Sequence, residues 1–251
     1  MTLFRRSFVA AAALLAAGAV SLRPEPARAQ VNVGELMAPG PLPDRSVGDP
    51  KAPVSIIEYA SMTCPHCADF EINTFPTLKQ RYIDAGKVYY VLREFPLDDL
   101  AKAAFMLARC VAGDQMTLKR EPAGEDGDKP ASPPVDPRTE TPLMPQNEQQ
   151  ANERYYALVD VLFRQQRTWA YSKDPAKALF DIAKQAGFTQ QSFEACLSDQ
   201  ALLDAIDEIK DRGAQKFNVN STPTFFINGK VVRGTIPANK LDETLQPHLK
   251  R

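Results

Sequence analysis

Residues 54–67 read VSIIEYASMTCPHC, and this stretch decides the fold. Residues 54–60 are β-branched, apolar or aromatic at most positions, which predicts a buried strand. Proline suits the first turn of a helix, so a helix is predicted to begin at Cys64-Pro65. A second strand is predicted over residues 87–93 (KVYYVLR). Together these elements form a βαβ unit with Cys64 at the carboxyl end of its first strand.

The remainder of the chain is predicted to be mostly helical until a final hairpin. Apolar residues recur at helical spacing in several segments of residues 99–213. Residues 224–227 and 230–233 are two strand-like runs joined by Asn228-Gly229, a strong signal for a β-hairpin. A last helix is predicted from about Pro237. The sequence therefore predicts an α/β fold in which a helical block separates residues 50–98 from residues 214–251.

Residues 117–150 do not fit the helical block. They are rich in proline and charged residues and contain no aromatic residue. Such a segment cannot bury enough apolar surface to offset the entropy lost on ordering. We therefore predict a disordered, proline-rich insertion between two helices. The alternative is that this segment serves as a docking strip for another protein.

Residues 1–29 are predicted to be a cleaved export signal. Arg5-Arg6 precede an apolar stretch over residues 9–20, and Ala27-Arg28-Ala29 supplies the small residues that signal peptidase accepts. Arg5-Arg6 also resembles a twin-arginine signal, so export by the Sec route and export by the twin-arginine route both stay open. An uncleaved membrane anchor is the alternative, although the apolar run is short for a spanning helix. We expect the mature protein in the periplasm or another exported compartment.

The segment that follows the signal and the overall composition add two expectations. Residues 30–49 are rich in proline and glycine and are predicted to form a flexible leader. The 30 basic and 31 acidic residues nearly cancel, which argues against a nucleic-acid-binding protein. Four cysteines in 251 residues are too few for a fold held together mainly by disulfides.

Cys64-Pro65-His66-Cys67 is predicted to be a redox-active cysteine pair. The first thiol faces the unpaired N–H groups and the positive end of a helix, and His66 adds a donor or a charge. Both effects favour the thiolate, which attacks disulfides and leaves readily. Cys67 lies one turn into the helix and is predicted to be the buried, resolving thiol. Half of a zinc site and a purely structural disulfide are the alternatives.

Two stretches of the sequence resemble the thiol:disulfide interchange proteins of the DsbA family. Residues 64–71 (CPHCADFE), followed by Thr74-Phe75-Pro76, resemble the active-site helix of that family. Residues 221–229 (STPTFFING) resemble its cis-proline loop and the hairpin that follows. The resemblance covers about residues 45–250, except residues 117–150. It implies a thioredoxin-like fold with an inserted α-helical domain over residues 99–213.

The resemblance implies a catalytic set of Cys64, Pro65, His66 and Cys67. Cys64 matches the nucleophile, Cys67 matches the resolving cysteine, and His66 matches the residue that stabilises the thiolate. Glu58, six residues before Cys64, matches a buried acid that relays a proton for Cys67. A partly exposed strand residue is the alternative interpretation of Glu58.

The resemblance also implies a substrate-binding loop and a second disulfide. Pro223 matches the cis-proline opposite the active-site disulfide, and its neighbour Thr222 is expected to present its backbone to an incoming peptide. Leftover cysteines in an oxidising compartment usually pair, and some family members carry a second, structural disulfide. We therefore expect Cys110 to pair with Cys196, the alternative being two buried free thiols.

The function implied is an exported thiol:disulfide oxidoreductase that exchanges its Cys64–Cys67 disulfide with cysteines of folding proteins. Its expected partners are cysteine-containing exported proteins and a redox partner that resets the site. No cofactor, metal or nucleic acid is expected, and no dimerisation domain is visible, which favours a monomer. Thr222 departs from the valine of the best-known DsbA oxidases, so a disulfide isomerase or reductase stays open. A peptide-binding chaperone on the same scaffold is the other alternative.

Overall fold

The structure is a computed structural model that describes residues 31–115 and 145–249. The export signal predicted over residues 1–29 and most of the insertion predicted over residues 117–150 lie outside the described residues. Among the residues that are described, no helix is both long enough and apolar enough to cross a membrane.

The described residues contain a five-stranded mixed sheet with the strand order β1-β3-β2-β4-β5. Strands β2 and β3 pair in parallel, whereas β1 pairs with β3, β4 with β2 and β5 with β4 in antiparallel fashion. Nearly every residue of the three central strands is buried, as expected for strands covered on both faces. The strands are β1 (Arg45–Val47), β2 (Val54–Ala60), β3 (Val88–Glu94), β4 (Thr224–Ile227) and β5 (Lys230–Arg233).

Along the sequence, helices lie before, between and after the strands of the sheet. Those outside the central block are α1 (Val33–Met37), α2 (Pro65–Asn73), α3 (Phe75–Leu78), which continues as a π-helix over Lys79–Ile83, and α10 (Leu241–Leu249). Those between β3 and β4 are α4 (Asp99–Val111), α5 (Glu148–Arg164), α6 (Gln166–Ala170), α7 (Pro175–Ala183), α8 (Gln190–Leu197) and α9 (Gln200–Phe217).

The predicted βαβ unit and hairpin are confirmed. Strand β2 has the predicted bounds, β3 is shifted by one residue, and α2 begins at Pro65. The hairpin strands also have the predicted bounds, and Asn228 and Gly229 both adopt positive φ in the turn. Pro76 lies in the first turn of α3, where a proline costs no hydrogen bond, so the chain forms two consecutive helices around it.

The predicted flexible leader over residues 30–49 is wrong for its described part. Asn32 caps helix α1, and strand β1 adds an edge to the sheet beside β3. Leu36 and Leu42 are 1% and 3% exposed, so both belong to the core. Arg93 donates to the carbonyl oxygen of Leu36 and pairs with Asp44. Proline and glycine content indicated mobility, but these contacts with distant residues order the segment.

The helices α4 to α9 lie where the sequence predicted a helical block. Helix α9 runs past residue 213 and contacts the sheet there. Gly213 lies so close to the Tyr59 ring on β2 that a Cβ atom at this position would be 2.7 Å from Cε1 of Tyr59. The division of the chain at residues 99 and 213 therefore stays a proposal. The last residues of the predicted disordered insertion are ordered: Asn147 caps α5, and its side chain accepts a hydrogen bond from the Gln150 amide.

Candidate active site

The loop after β2 places Cys64 at the start of a helix. Cys64 is the N-cap residue of α2, with extended backbone angles (φ −77°, ψ 120°), and Pro65 follows in the first turn. The Cys64 amide donates to the carbonyl oxygen of Ser61, which closes the loop. Cys64 and Cys67 are buried free thiols, whereas Pro65 and His66 are exposed. The site is therefore in its dithiol form, with the two residues one helical turn apart along the chain and their thiols hydrogen-bonded to each other.

The surroundings of the Cys64 sulfur favour its thiolate. A hydrogen bond from Cys67 is the largest influence that lowers the pKa of Cys64, and burial opposes it. The Thr222 hydroxyl and the backbone N–H groups of Cys67 and His66 lower the pKa further. The net result is a pKa of about 5, which matches the effect of an unpaired helix N-terminus on a capping thiol.

His66 acts on the sulfur through its backbone. Its side chain is exposed, and the group that lowers the pKa of Cys64 is the His66 N–H. The His66 carbonyl accepts a hydrogen bond of 3.1 Å from the Thr235 hydroxyl, which ties the first turn of α2 to the segment after β5. A contribution of the imidazole to thiolate stabilisation stays a prediction.

Cys67 has the opposite electrostatic environment. Burial raises the pKa of the Cys67 thiol, and its hydrogen bond to Cys64 and the negative charge of Glu58 add to the increase. Glu58 lies on β2 and is 2% exposed. Burial raises the pKa of Glu58 well above its usual range, against the effect of a hydrogen bond that the Tyr90 hydroxyl donates to its Oε2 atom. Burial thus favours the protonated form of both the Cys67 thiol and the Glu58 carboxyl group.

The loop before β4 faces the Cys64 sulfur. The Thr222–Pro223 peptide bond is cis, and the Cys64 thiol donates to the Thr222 carbonyl oxygen at 3.4 Å. Within the described part of the chain, the buried Thr222 Oγ1 atom has no hydrogen-bond partner. After the hydrogen bond from Cys67, this hydroxyl is one of the groups that lower the pKa of Cys64, because it can donate to the thiolate. Thr222 thus lies beside the Cys64 sulfur and precedes a cis-proline, the arrangement that the resemblance implied.

Three polar residues near the site carried no signal in the sequence. Tyr90 on β3 is fully buried beside Glu58, and Glu71 on α2 has its pKa raised by burial to about 8. Gln166, at the start of α6, is also buried and contacts the loop that precedes Cys64. Tyr90 and Gln166 are brought to the site by packing between distant segments, which residue spacing does not encode, whereas Glu71 lies on α2 itself, one turn after Cys67.

Cys110 and Cys196 are joined by a disulfide away from this site. It connects α4 to α8 with a Cα–Cα distance of 6.1 Å across a sequence separation of 86 residues. Its role as a structural crosslink stays a prediction. In residues 31–115 and 145–249, no group of three or more His, Cys, Asp or Glu side chains is arranged to hold a metal ion.

An open cleft of about 460 Å³ lies beside Pro65, the residue that follows Cys64. Its walls are formed by Pro65, Gln166, Arg167 and Tyr171. The Tyr171 side chain is 70% exposed, and Leu97, in the loop after β3, is 53% exposed. An exposed aromatic side chain therefore borders the cleft beside Pro65.

This arrangement is suited to thiol–disulfide exchange. One thiol ionises readily, a second thiol one turn away stays protonated, and a buried carboxyl group is coupled to the second thiol. A thiolate of low pKa is both an effective attacking group and a good leaving group near neutral pH.

The fold of this chain is shared with known proteins. A family model described as Thioredoxin matches residues 42–123 and 142–247. The crystal structure of α-DsbA1 from Wolbachia pipientis superposes with a TM-score of 0.66 at 27% identity, covering 87% of this chain and 96% of that one. Oxidised BdbD from Bacillus subtilis matches with a TM-score of 0.60 at 18% identity, covering 83% of this chain and 94% of that one, and supports the fold.

One of the curated relatives of this chain has a name that describes an enzymatic activity. A Rickettsia typhi protein, provisionally named a protein-disulfide oxidoreductase, is 28% identical over 186 residues, which are 74% of this chain and 55% of that protein. The chain therefore spans about half the length of the curated relatives it matches. The predicted thioredoxin-like fold with a helical insertion is confirmed, and so is the resemblance to DsbA proteins. The chain belongs to the thioredoxin family, in which it is related to the DsbA thiol:disulfide interchange proteins.

Proposed function

We propose that this protein is an exported thiol:disulfide oxidoreductase that exchanges the Cys64–Cys67 disulfide with cysteines of folding proteins. The observation that carries the proposal is the environment of Cys64 at the start of α2, which lowers its pKa to about 5. A thiol in this environment is ionised at neutral pH, so the reduced pair is stabilised and the disulfide is an oxidant.

The proposed reaction proceeds through one mixed disulfide. A client thiolate attacks the Cys64 sulfur, a client–Cys64 bond forms, and Cys67 leaves with the electron pair of the broken bond. Glu58 then supplies a proton to the Cys67 thiolate. A second client thiolate attacks the client sulfur of the mixed disulfide and releases Cys64 as a thiolate. The client loses two electrons and gains a disulfide, while the Cys64–Cys67 pair gains the two electrons.

The client is proposed to bind beside Cys64 through its backbone and its apolar side chains. The Thr222 backbone precedes a cis-proline and adjoins the sulfur, which suits strand-like pairing with an extended peptide. The cleft beside Pro65 and the exposed Tyr171 side chain offer apolar contacts to such a peptide. An unfolded chain exposes both its backbone and its apolar side chains, so it fits this surface better than a folded protein.

We propose that the protein acts after export, as a monomer, and that a separate redox partner reoxidises Cys64 and Cys67. N-terminal sequencing of the exported protein should give Gln30 as its first residue. Recovery of a chain that begins at Met1 would contradict the cleaved signal.

Trapping the mixed disulfide tests the proposal. The Cys67→Ser variant lacks the resolving thiol, so its Cys64 thiolate should attack a client peptide whose single cysteine is joined to glutathione, release glutathione as the leaving thiolate, and accumulate as the client–Cys64 mixed disulfide on a non-reducing gel. The matched Cys64→Ser variant should form no such complex, because Cys67 is buried and its thiol has a raised pKa. Equal trapping by both variants would contradict the assignment of Cys64 as the nucleophile.

Two further measurements separate the proposed oxidase from its alternatives. Equilibration with glutathione should give a reduction potential well above that of thioredoxin, about −270 mV, whereas a value near it would indicate a reductase. A chaperone would suppress aggregation equally well as wild type and as Cys64→Ser. Loss of all exchange in Cys64→Ser, with exchange in wild type, would favour the oxidoreductase.

A further inference from the structure

Gln166 makes two hydrogen bonds to the loop that carries the nucleophile. Its Nε2 atom donates to the carbonyl oxygen of Met62 at 2.8 Å and to that of Cys64 at 2.9 Å. A carboxamide nitrogen has two hydrogens, so both donors are used. Gln166 is only 4% exposed, which removes water as a competing partner for these carbonyl oxygens.

The contact joins the helical block to the active-site loop. Gln166 is the first residue of α6, whereas Met62 and Cys64 lie between β2 and α2. On another side of the same loop, Thr63 donates to Asp98 at 2.8 Å, and Asp98 caps α4 through the Ala101 amide. Gln166 of the helical block and Asp98, the N-cap residue of its first helix, therefore hold three consecutive residues of the loop.

By binding two carbonyl groups, Gln166 fixes the orientation of the Met62–Thr63 and Cys64–Pro65 peptide units. The Cys64 carbonyl also accepts the first backbone hydrogen bond of α2, from Ala68 at 3.2 Å. With this carbonyl fixed, the N–H groups of His66 and Cys67 stay directed toward the Cys64 sulfur. A glutamine replaced by an apolar residue would leave two buried carbonyl oxygens short of a donor, and the loop would shift to regain one.

We propose that Gln166 is a positioning residue for thiol–disulfide exchange, holding the Met62 and Cys64 carbonyls so that the Cys64 sulfur stays within reach of the first N–H groups of α2. The inference rests on the proposed exchange function and extends it. It assigns to the helical block a direct part in setting the reactivity of the cysteine pair.

The Gln166→Met variant tests the inference, because methionine has the length of glutamine and no donor. The readouts are the thiolate titration of Cys64 by ultraviolet absorbance and the equilibrium of the Cys64–Cys67 pair with glutathione. We expect the pKa of Cys64 to rise and the equilibrium constant to shift about tenfold toward the disulfide, since one pKa unit is a factor of about ten. The matched control is Gln191→Met, which makes the same change at an exposed position on α8 and should alter neither readout.

A second variant keeps the test decisive if Gln166→Met does not fold. Gln166→Asn retains the amide but withdraws it by one methylene, so it should shift the same two readouts in the same direction by a smaller factor. A Gln166 variant that unfolds at a lower temperature yet keeps the wild-type titration and equilibrium would overturn the inference. If the wild-type protein itself shows no low-pKa thiol and no exchange, the proposed function fails instead.

Discussion

The Tyr90 hydroxyl donates a hydrogen bond to Oε2 of Glu58, and both side chains are buried on the neighbouring parallel strands β3 and β2. This pair places a protonatable carboxyl group close enough to Cys67 for its charge to raise the pKa of that thiol. Burial in turn raises the pKa of Glu58, so the carboxyl group can hold a proton at a pH where an exposed glutamate has lost it.

The first prediction concerns proton transfer to Cys67. Glu58→Gln preserves the shape and the contact with Tyr90 but removes the acidic proton, so Cys67 must take its proton from solvent. Stopped-flow measurement should find that reduction of the Cys64–Cys67 disulfide by a small dithiol slows by about tenfold or more. Asp69→Asn, which makes the same change at an exposed acid on α2, should stay close to the wild-type rate. Equal rates for Glu58→Gln and wild type would rule out the relay.

The second prediction concerns the pH dependence of stability. Burial raises the pKa of Glu71 to about 8, against an ordinary value near 4.5. Between these values the folded protein holds a proton that the unfolded chain has released, so the free energy of unfolding falls as pH rises. Glu71→Gln removes this titration and should flatten the decline between about pH 5 and pH 8. Denaturant unfolding at several pH values measures the slope, and an unchanged slope would contradict the assignment.

The third prediction concerns a buried ionic network. Arg109 pairs with Glu94 at 2.6 Å and with Asp114 at 3.1 Å, and all three side chains are at most 2% exposed. Arg109→Met leaves buried carboxylates without this partner and should lower the free energy of unfolding by about 3–5 kcal/mol. Lys177→Met breaks an exposed pair with Asp181 and should lower the free energy of unfolding far less, because water and salt screen an exposed pair. Similar losses of unfolding free energy in the two variants would contradict the prediction that burial determines how much an ion pair contributes to stability.

The fourth prediction concerns the disulfide between α4 and α8. Replacing both Cys110 and Cys196 with alanine removes a crosslink across 86 positions and should lower the free energy of unfolding by about 2–5 kcal/mol. Exchange at Cys64 should continue at the wild-type rate, because the variant leaves the active-site loop intact. A variant as stable as wild type would mean that the bond is dispensable for folding, and lost exchange would mean that it supports the active site.

The sequence predicted the elements whose signals are local. The apolar run over residues 54–60, the proline after Cys64 and the Asn228-Gly229 turn each specify their structure within a few residues, and the structure places them accordingly. The resemblance to DsbA proteins added the order of the elements and the loop that contains Pro223.

The features that the sequence did not predict depend on contacts between distant residues. Leu36 and Leu42 lie in a segment whose proline and glycine content indicated mobility, yet both are buried against the core. Tyr90 and Gln166 reach the site through strand register and helix packing, respectively. No local pattern of residues distinguishes them from other polar side chains.

The pKa of Cys64 in the reduced protein tests the central claim most directly. Ultraviolet absorbance of the thiolate, recorded against pH in wild type and in Cys64→Ser, isolates this one group. The account predicts a titration with its midpoint near pH 5 that is lost in Cys64→Ser. A midpoint near the ordinary cysteine value of about 8.5 would contradict it.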